Sequence, residues 1–218
     1  MVYRLHVVRH AEGIHNHLQD KTIPDPPLTQ KGVKQCERLS QIFPYKQDIG
    51  LVVTSPLRRT TQTALIGFQK TLDQRYYSPD VPRRGGGPEG ARLLLEPNLQ
   101  AHSSRPCDTG SSQSVLCSEM PHLPWDELSF DPVFPAKEGP YATDVDSLSR
   151  RGHMLHRILE QQFAALAGSA RPDIVVVSHG GFMKYVVLED EITIESASWK
   201  SFNVTFDEDH NMKLTKVS

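Results

Sequence analysis

Three short runs of the sequence are dense in valine, isoleucine and leucine and lack the polar–apolar alternation of a half-buried strand. They cover residues 3–8, 49–54 and 174–178. A strand whose two faces are both covered has this continuous apolar character. The runs therefore predict the central strands of a sheet that is covered on both faces.

Helical patterns lie between these runs. Apolar residues recur at helical spacing over 29–43, 56–68 and 147–167. Thr29 is a suitable N-cap for the first of these helices, and Gly168 is a suitable stop for the third. Strands that alternate with helices indicate an α/β fold, which we expect to be an open, mostly parallel sheet with helices on both faces. The C-terminal runs 202–206 and 212–217 predict a β-hairpin.

Residues 78–146 interrupt this alternation. They contain "SPDVPRRGGGPEG", "SSRPCDTGSSQS" and "HLPWDELSFDPVFP", which are rich in proline, glycine and serine. Such a long loop-dominated segment is uncommon in a compact domain unless it is an insertion or a lid. We expect a cap over about 78–146 within a single domain spanning 1–218, with "RRGGGPEG" (83–90) as a flexible surface loop.

Composition excludes several classes of protein. The chain has 218 residues and a formal net charge of −2, so it offers no general basic field for nucleic acid and no polybasic anchor for a membrane. No stretch approaches the roughly 18 apolar residues of a membrane-spanning helix, and no signal peptide is evident. The 3 cysteines lack metal-ligand spacing and fit a reduced, cytoplasmic protein.

Basic residues follow the end of each predicted central strand. Arg9 and His10 follow the first, Arg58 and Arg59 follow the second within "TSPLRRTTQTA", and His179 follows the third within "VVVSHGGFMKY". In an open α/β sheet, ligands bind at the carboxyl ends of the strands. The sequence therefore predicts a pocket of histidines and arginines that binds an anion.

These residue types suit phosphoryl transfer. An arginine holds phosphate oxygens with its planar fork of donors and stays charged. A histidine among arginines favours its neutral form, which leaves a ring nitrogen free to attack phosphorus. A second histidine can stabilise charge on the phosphoryl oxygens. We expect no metal ion and no cofactor, because the sequence shows no carboxylate cluster that would hold a metal.

Four motifs resemble the histidine phosphatase superfamily, in its phosphoglycerate mutase-like branch, and "PCDTGS" (106–111) resembles a loop of the fungal-type phosphatases in that branch. The four motifs are "VVRHAEGIHN", with Ala11 where the family's RHG signature has glycine, then "DPPLTQKG", "TSPLRRTTQTA" and "VSHGGF". The resemblance implies that His10 is the nucleophile that becomes phosphohistidine. It implies that Arg9, Arg59 and His179 complete the phosphate pocket, with Arg58 at the surface or rim. The substrate-binding candidates that it adds are Asn16, Glu12, His15, Thr22 and Gly180.

Some of these candidates have a structural alternative. Asn16 and Thr22 could be turn residues, and Glu12 could orient the loop after His10 rather than touch the substrate. His15 stands where mutases usually carry tryptophan, which, with Ala11, favours a phosphatase.

The resemblance also shows a departure at the general-acid position. A glutamate commonly follows "LQ" in the family's acid-bearing segment, and this chain has Ala101 there. We expect weak activity on that account, with Asp108 as the best native substitute. Ala101 is either a natural departure or an introduced Glu→Ala change, and the otherwise intact pocket favours the introduced change.

The resemblance implies a metal-independent phosphomonoesterase that acts on a small soluble phosphate ester. Two alternatives stay open: a mutase that returns the phosphoryl group to its substrate, and a non-catalytic phosphate-binding protein. We expect no nucleic-acid or membrane partner. The sequence does not identify the physiological substrate or the oligomeric state.

Overall fold

A six-stranded sheet forms the centre of the protein in a computed structural model, which describes residues 3–217 except 79, 81–86, 88, 124 and 126–131. The strand order is β3-β2-β4-β1-β5-β6. The first four strands in this order are parallel to one another, and β5 and β6 extend the sheet as an antiparallel hairpin. The strands are β1 Tyr3–Arg9, β2 Ile49–Thr54, β3 Arg92–Leu95, β4 Asp173–Ser178, β5 Trp199–Phe206 and β6 Met212–Lys216.

Six α-helices accompany the sheet in the described part of the chain. They are α1 Ile14–Leu18, α2 Gln30–Ile42, α3 Arg58–Gly67, α4 Gln113–Glu119, α5 Val145–Ala165 and α6 Met183–Val187. Thr29 caps α2 as expected, since its hydroxyl accepts a hydrogen bond from the amide of Gly32 at 2.9 Å. Helix α5 begins two residues before the predicted start because Asp144 is its N-cap and accepts from the Ser147 amide at 2.9 Å. Gly168 follows α5 with a φ of +79°, as a helix stop requires.

The hydrophobic core lies on both faces of the sheet. On one face, Phe43 and Phe68, which directly follow α2 and α3, pack near Val8 and Val52 of the sheet. On the other face, the α5 side chains pack against the sheet together with residues of α6, in a cluster that includes Leu5, Val7, Val53, Leu155, Leu159 and Met183. The predicted α/β architecture, with an open, mostly parallel sheet covered on both faces, is confirmed.

The segment 78–146 is not a single insertion outside the sheet. Its residues Arg92–Leu95 form β3, which pairs in parallel with β2 at the edge of the sheet. The sequence did not predict this strand because it is short and follows a glycine- and proline-rich stretch. After β3, the described residues form short 3-10 turns and α4. Most of "RRGGGPEG" lies outside the described residues, so its expected loop character stays a prediction.

No helix in the described residues is long and apolar enough to cross a membrane. The longest, α5, carries charged side chains such as Arg150 and Glu160 along its length.

The C-terminal hairpin was predicted correctly, since β5 and β6 pair antiparallel from Phe202 opposite Lys216 to Phe206 opposite Met212.

Candidate active site

The carboxyl ends of β1, β2 and β4 meet at one edge of the sheet. Arg9 is level with Ser178 in the β1–β4 register, so His10 and His179 leave the sheet side by side. The amide of His10 donates to the carbonyl of Ser178 at 3.0 Å, and the amide of Ser55 donates to the carbonyl of Val177 at 3.2 Å. These bonds hold the three strand ends in fixed relative positions.

The His10 side chain is buried, and a backbone hydrogen bond fixes its tautomer. Its Nδ1 lies 2.7 Å from the carbonyl oxygen of Ala11, which can only accept a hydrogen bond. The proton is therefore on Nδ1, and Nε2 carries the free lone pair. Nε2 is then the nitrogen that can act as a nucleophile.

Two helices hold the loop that follows His10. The amide of Ala11 donates to the hydroxyl of Thr63 on α3 at 3.0 Å. The amide of Thr29 donates to the carbonyl of Glu12 at 2.9 Å. Gly32 lies so close to that same carbonyl that a side chain at position 32 would collide with it. The position of the loop therefore depends on the N-terminus of α2.

Arg59, the second residue of α3, is 1% exposed and has its guanidinium in the pocket. Its Nη1 donates to the carbonyl of Cys107 at 2.5 Å, and its Nη2 donates to Oδ1 of Asp108 at 2.9 Å. Nη2 also lies 2.9 Å from Nδ1 of His179. Because arginine can only donate, Nδ1 of His179 accepts, and the proton of His179 is on Nε2. That Nε2 lies 3.1 Å from the hydroxyl oxygen of Ser55 and donates to it.

Arg9 brings a second guanidinium to the same edge of the sheet. Its Nη1 donates to the carbonyl of Ile194 at 3.2 Å. A Cβ atom at Gly180 would lie 3.2 Å from Nε of Arg9, so glycine allows the backbone after His179 to approach this guanidinium closely.

Several buried nitrogens of the pocket have no hydrogen-bond partner within the described part of the chain. They are Nε of Arg9, Nε of Arg59 and Nδ1 of His15. The ring centroid of His10 lies 6.0 Å from that of His15 and 5.2 Å from that of His179. Buried donors without partners are costly unless a ligand satisfies them. An anion with several oxygen atoms fits this arrangement.

The electrostatics of the pocket keep its histidines neutral. Burial, followed by the positive charge of Arg59, lowers the pKa of His10 and of His179 well below the usual value. Burial and Arg59 also lower the pKa of His15 to about 4. At neutral pH, His10 therefore has an unprotonated Nε2, and the fixed positive charge comes from arginine.

Comparison with known proteins agrees with this geometry. Residues 5–76, which include Arg9, His10 and Arg59, match the model of the histidine phosphatase superfamily (branch 1). Over these residues, the chain is similar to the histidine phosphatase superfamily. A probable phosphatase of Schizosaccharomyces pombe is 26% identical over 228 residues, which cover 98% of this chain and 95% of that protein.

Solved structures share the fold of this chain. A mycobacterial glucosyl-3-phosphoglycerate phosphatase superposes with a TM-score of 0.59 at 15% identity, over 99% of this chain and 97% of that one. A putative alpha-ribazole-5'-P phosphatase of Escherichia coli gives 0.58 at 16% identity, over 99% and 96%. A phosphoserine phosphatase of Entamoeba histolytica gives 0.55 at 19% identity, over 98% and 95%. These similarities concern the architecture.

The structure places four predicted residues outside the centre of the pocket. Arg58 forms an ion pair with Glu119, with Nε of Arg58 2.8 Å from Oε2, as expected for a rim residue. Asn16 is exposed, and its side-chain oxygen accepts a hydrogen bond from the amide of Gly13 at 3.1 Å. This hydrogen bond caps the N-terminus of α1. Thr22 is exposed, and its hydroxyl donates to Asp20 at 2.6 Å. In this conformation, Asn16 and Thr22 have the local roles that were their alternative interpretation.

Glu12 also has a local role in this structure. Its carboxylate accepts from the hydroxyl of Thr29 at 2.9 Å and from Nζ of Lys31 at 2.8 Å, and these bonds lower its pKa. Glu12 thus fastens the loop after His10 to α2. This arrangement agrees with the orienting alternative of the sequence analysis.

The segment predicted to bear the general acid lies next to the pocket. Ala101 is fully buried, and its carbonyl accepts a hydrogen bond from Nζ of Lys137 at 2.9 Å. Asp108 lies in the pocket, where it accepts from Arg59 and from the hydroxyl of Ser103 at 2.6 Å. Ala101 and Asp108 were predicted from the sequence, but Lys137 was not. Nothing in the loop-rich sequence around Lys137 indicates a contact with position 101.

Within the described residues, no group of three or more histidine, cysteine, aspartate or glutamate side chains is arranged to hold a metal ion. Arg9 and Arg59 bring two guanidinium groups to the pocket. These groups can stabilise phosphoryl oxygens directly.

Proposed function

We propose that this protein is a phosphomonoesterase that hydrolyses a small phosphate ester through a phosphohistidine on His10. The hydrogen bond from Nδ1 of His10 to the carbonyl of Ala11, at 2.7 Å, carries the proposal. It directs the lone pair of Nε2 away from the backbone, in a pocket where burial keeps the ring neutral. A structural histidine would not need neighbouring buried arginines with unused donors.

The reaction would proceed in two displacements. In the first, Nε2 of His10 forms a bond to phosphorus while the bond to the ester oxygen breaks, and the alcohol leaves with a proton. In the second, water attacks the phosphohistidine, returns His10 to its free form and releases inorganic phosphate. Arg9 and Arg59 would hold the phosphoryl oxygens in both steps, and His15 and Gly180 would line the same cavity.

The segment 78–146, apart from β3, would cap the pocket and select the substrate. Cys107 and Asp108 already bring this segment into contact with Arg59. Exchange of the cap residues for those of a relative should change substrate preference and retain phosphohistidine formation. An unchanged preference would contradict this role of the cap.

Hydrolysis of p-nitrophenyl phosphate without added metal tests the proposed activity against a non-catalytic phosphate-binding role. An assay of phosphoglycerate interconversion tests the mutase alternative, in which the phosphoryl group returns to the substrate. A panel of metabolite phosphates then identifies the substrate. No hydrolysis of any ester, with tight phosphate binding retained, would overturn the proposal.

A further inference from the structure

Cleavage of an unactivated phosphate ester requires a proton for the departing oxygen, because an alkoxide is a poor leaving group. Two carboxylates near the pocket, among the residues that the structure describes, are already engaged. Asp108 accepts from Arg59 and Ser103. Asp25 accepts from the amides of Arg58 at 3.1 Å and Ser111 at 2.9 Å. Ala101 offers no proton at the position where the family's glutamate was expected.

Lys137 brings an ammonium group to this position from the cap. Its Nζ donates to the carbonyl oxygen of Ala101 at 2.9 Å, and its side chain is half-buried. Among the described residues, no carboxylate forms an ion pair with it. An ammonium group has three N–H donors. Among the described residues, the hydrogen bond to Ala101 uses one of those on Lys137 and leaves two for another acceptor.

A series of contacts connects Lys137 to the phosphate-binding residues. His102 follows Ala101, and its ring lies directly against Gly181, so closely that a side chain at position 181 would collide with it. Gly180 lies against the guanidinium of Arg9. The charge of Lys137 also acts on the pocket, since it is one of the charges that lower the pKa of His179. Through Ala101 and His102 the ammonium group adjoins the cap side of the pocket, where we expect the alcohol part of an ester to extend.

We propose that Lys137 is a catalytic residue of this protein, namely the proton donor to the leaving oxygen of the substrate. The inference rests on the proposed phosphomonoesterase function. In the first displacement, the P–O bond breaks as Nε2 of His10 bonds to phosphorus, and the ammonium proton of Lys137 passes to the ester oxygen. In the second, the neutral amine accepts a proton from the attacking water and becomes an ammonium again. Protons and charge balance over the two steps.

The surroundings of Lys137 make its proton transferable. Burial, followed by the positive charge of Arg151, lowers the pKa of Lys137 to about 7. Arg59 contributes to this lowering, while Asp108 and Asp25 act in the opposite direction. Arg151 is buried on α5 and donates to the carbonyls of Asn98 and Gln100, in the same short stretch whose residue Ala101 binds Lys137. A fixed cation of this kind next to a lysine favours release of the proton.

The test compares Lys137→Met with Lys137→Arg on two esters. Arginine keeps the positive charge but does not release its proton in a protein. On glycerol 2-phosphate, we expect the rate of the initial burst of alcohol release to fall by about 10²-fold or more in both variants. On p-nitrophenyl phosphate, whose leaving group needs no proton, we expect both to stay within about threefold of the parent. The matched control is Lys46→Met, since Nζ of Lys46 also donates to a backbone carbonyl, that of Ser40 at 3.0 Å.

Inhibition by inorganic phosphate shows whether each variant retains its pocket. If Lys137→Arg cleaves glycerol 2-phosphate at the parental rate, the role is charge alone, and the proposal is overturned. Equal losses on both esters, or no loss on either, overturn it as well. If a variant does not fold, the parent protein provides the test. Its relative rate on glycerol 2-phosphate against p-nitrophenyl phosphate should fall as pH rises through the pKa of Lys137, and a constant ratio contradicts the proposal. Failure of the parent to cleave either ester contradicts the proposed function itself.

Discussion

Arg59 forms an ion pair with Asp108 inside the pocket, with Nη2 of Arg59 2.9 Å from Oδ1 of the carboxylate. Arg59 is 1% exposed at its side chain, so this contact is shielded from solvent. The carboxylate therefore lies beside the guanidinium that is expected to bind a phosphoryl group. A bound phosphate and Asp108 would place two anions against one arginine.

Replacement of Asp108 by asparagine should strengthen phosphate binding. Asparagine keeps the hydrogen-bonding shape and removes one negative charge, so we expect the inhibition constant of inorganic phosphate to fall by about threefold to tenfold. Turnover should stay within about tenfold of the parent. Inhibition of turnover by inorganic phosphate, measured at constant ionic strength in the parent and the variant, gives both quantities. Complete loss of turnover in Asp108→Asn would identify Asp108 as the proton donor instead.

Replacement of His10 by alanine should abolish turnover without disturbing the fold. His10 lies at the end of β1 in a polar pocket, and the apolar core packs further along the strand. We expect at least about a 10⁴-fold loss of activity with little change in the unfolding midpoint. Acid-sensitive label from a phosphorylated substrate should appear on His10 in the parent and disappear in the variant. Label on a serine or cysteine would contradict the mechanism.

Introduction of glutamate at position 101 should raise turnover of esters with poor leaving groups by at least about tenfold. Position 101 lies next to the pocket, so a carboxylic acid there adds a proton donor of its own. The gain should persist with Lys137→Met and be much smaller for esters with activated leaving groups. Ala101→Gln, which matches glutamate in size but has no acidic proton, is the control. Equal effects of glutamate and glutamine would refute the acid role.

The stability of the protein should depend on His15 between pH 4 and 6.5. Burial and Arg59 lower its folded pKa to about 4, so the unfolded chain binds more protons in this range. The contribution of His15 to the free energy of unfolding is therefore complete above the unfolded pKa of about 6.5, and it is lost as the pH falls toward 4. Removing this titratable group in His15→Gln should reduce the drop in unfolding free energy between pH 7 and pH 5 by about 1 kcal/mol. Urea denaturation at both pH values measures it, with the exposed His17→Gln as control.

Chelation should leave activity unchanged. Arg9 and Arg59 supply the positive charge that a metal would otherwise provide, so we expect full hydrolysis of p-nitrophenyl phosphate in excess EDTA. A large loss that magnesium restores would show that this charge assignment is wrong.

The strands that position the pocket could be predicted because burial on both faces leaves a local signal. The runs at β1, β2 and β4 are apolar at nearly every position, and catalytic candidates follow each of them. Edge strand β3 was missed because four residues, "RLLL", carry too little pattern to separate a strand from a loop. Its identity as a strand depends on pairing with β2, which is a tertiary contact.

The centre of the candidate site was predictable for a similar reason. Arg9, His10, Arg59 and His179 lie directly beside elements that have clear patterns. Lys137 and Ser55 were missed because their contacts, with Ala101 and His179, join residues distant in sequence. The local roles of Asn16 and Thr22 also depend on side-chain directions that spacing alone does not give.

The close approach of Gly32 to the carbonyl of Glu12 means that the pocket depends on a helix that contributes no side chain to it. If α2 detaches on heating, the loop after His10 loses its support while the sheet, held by its own ladder of hydrogen bonds, stays intact. Activity would then be lost at a temperature below that at which the sheet unfolds. Because α2 also buries Leu39 and Cys36, changes that weaken its docking would lower the heat tolerance of both the activity and the fold, and the activity would be lost first.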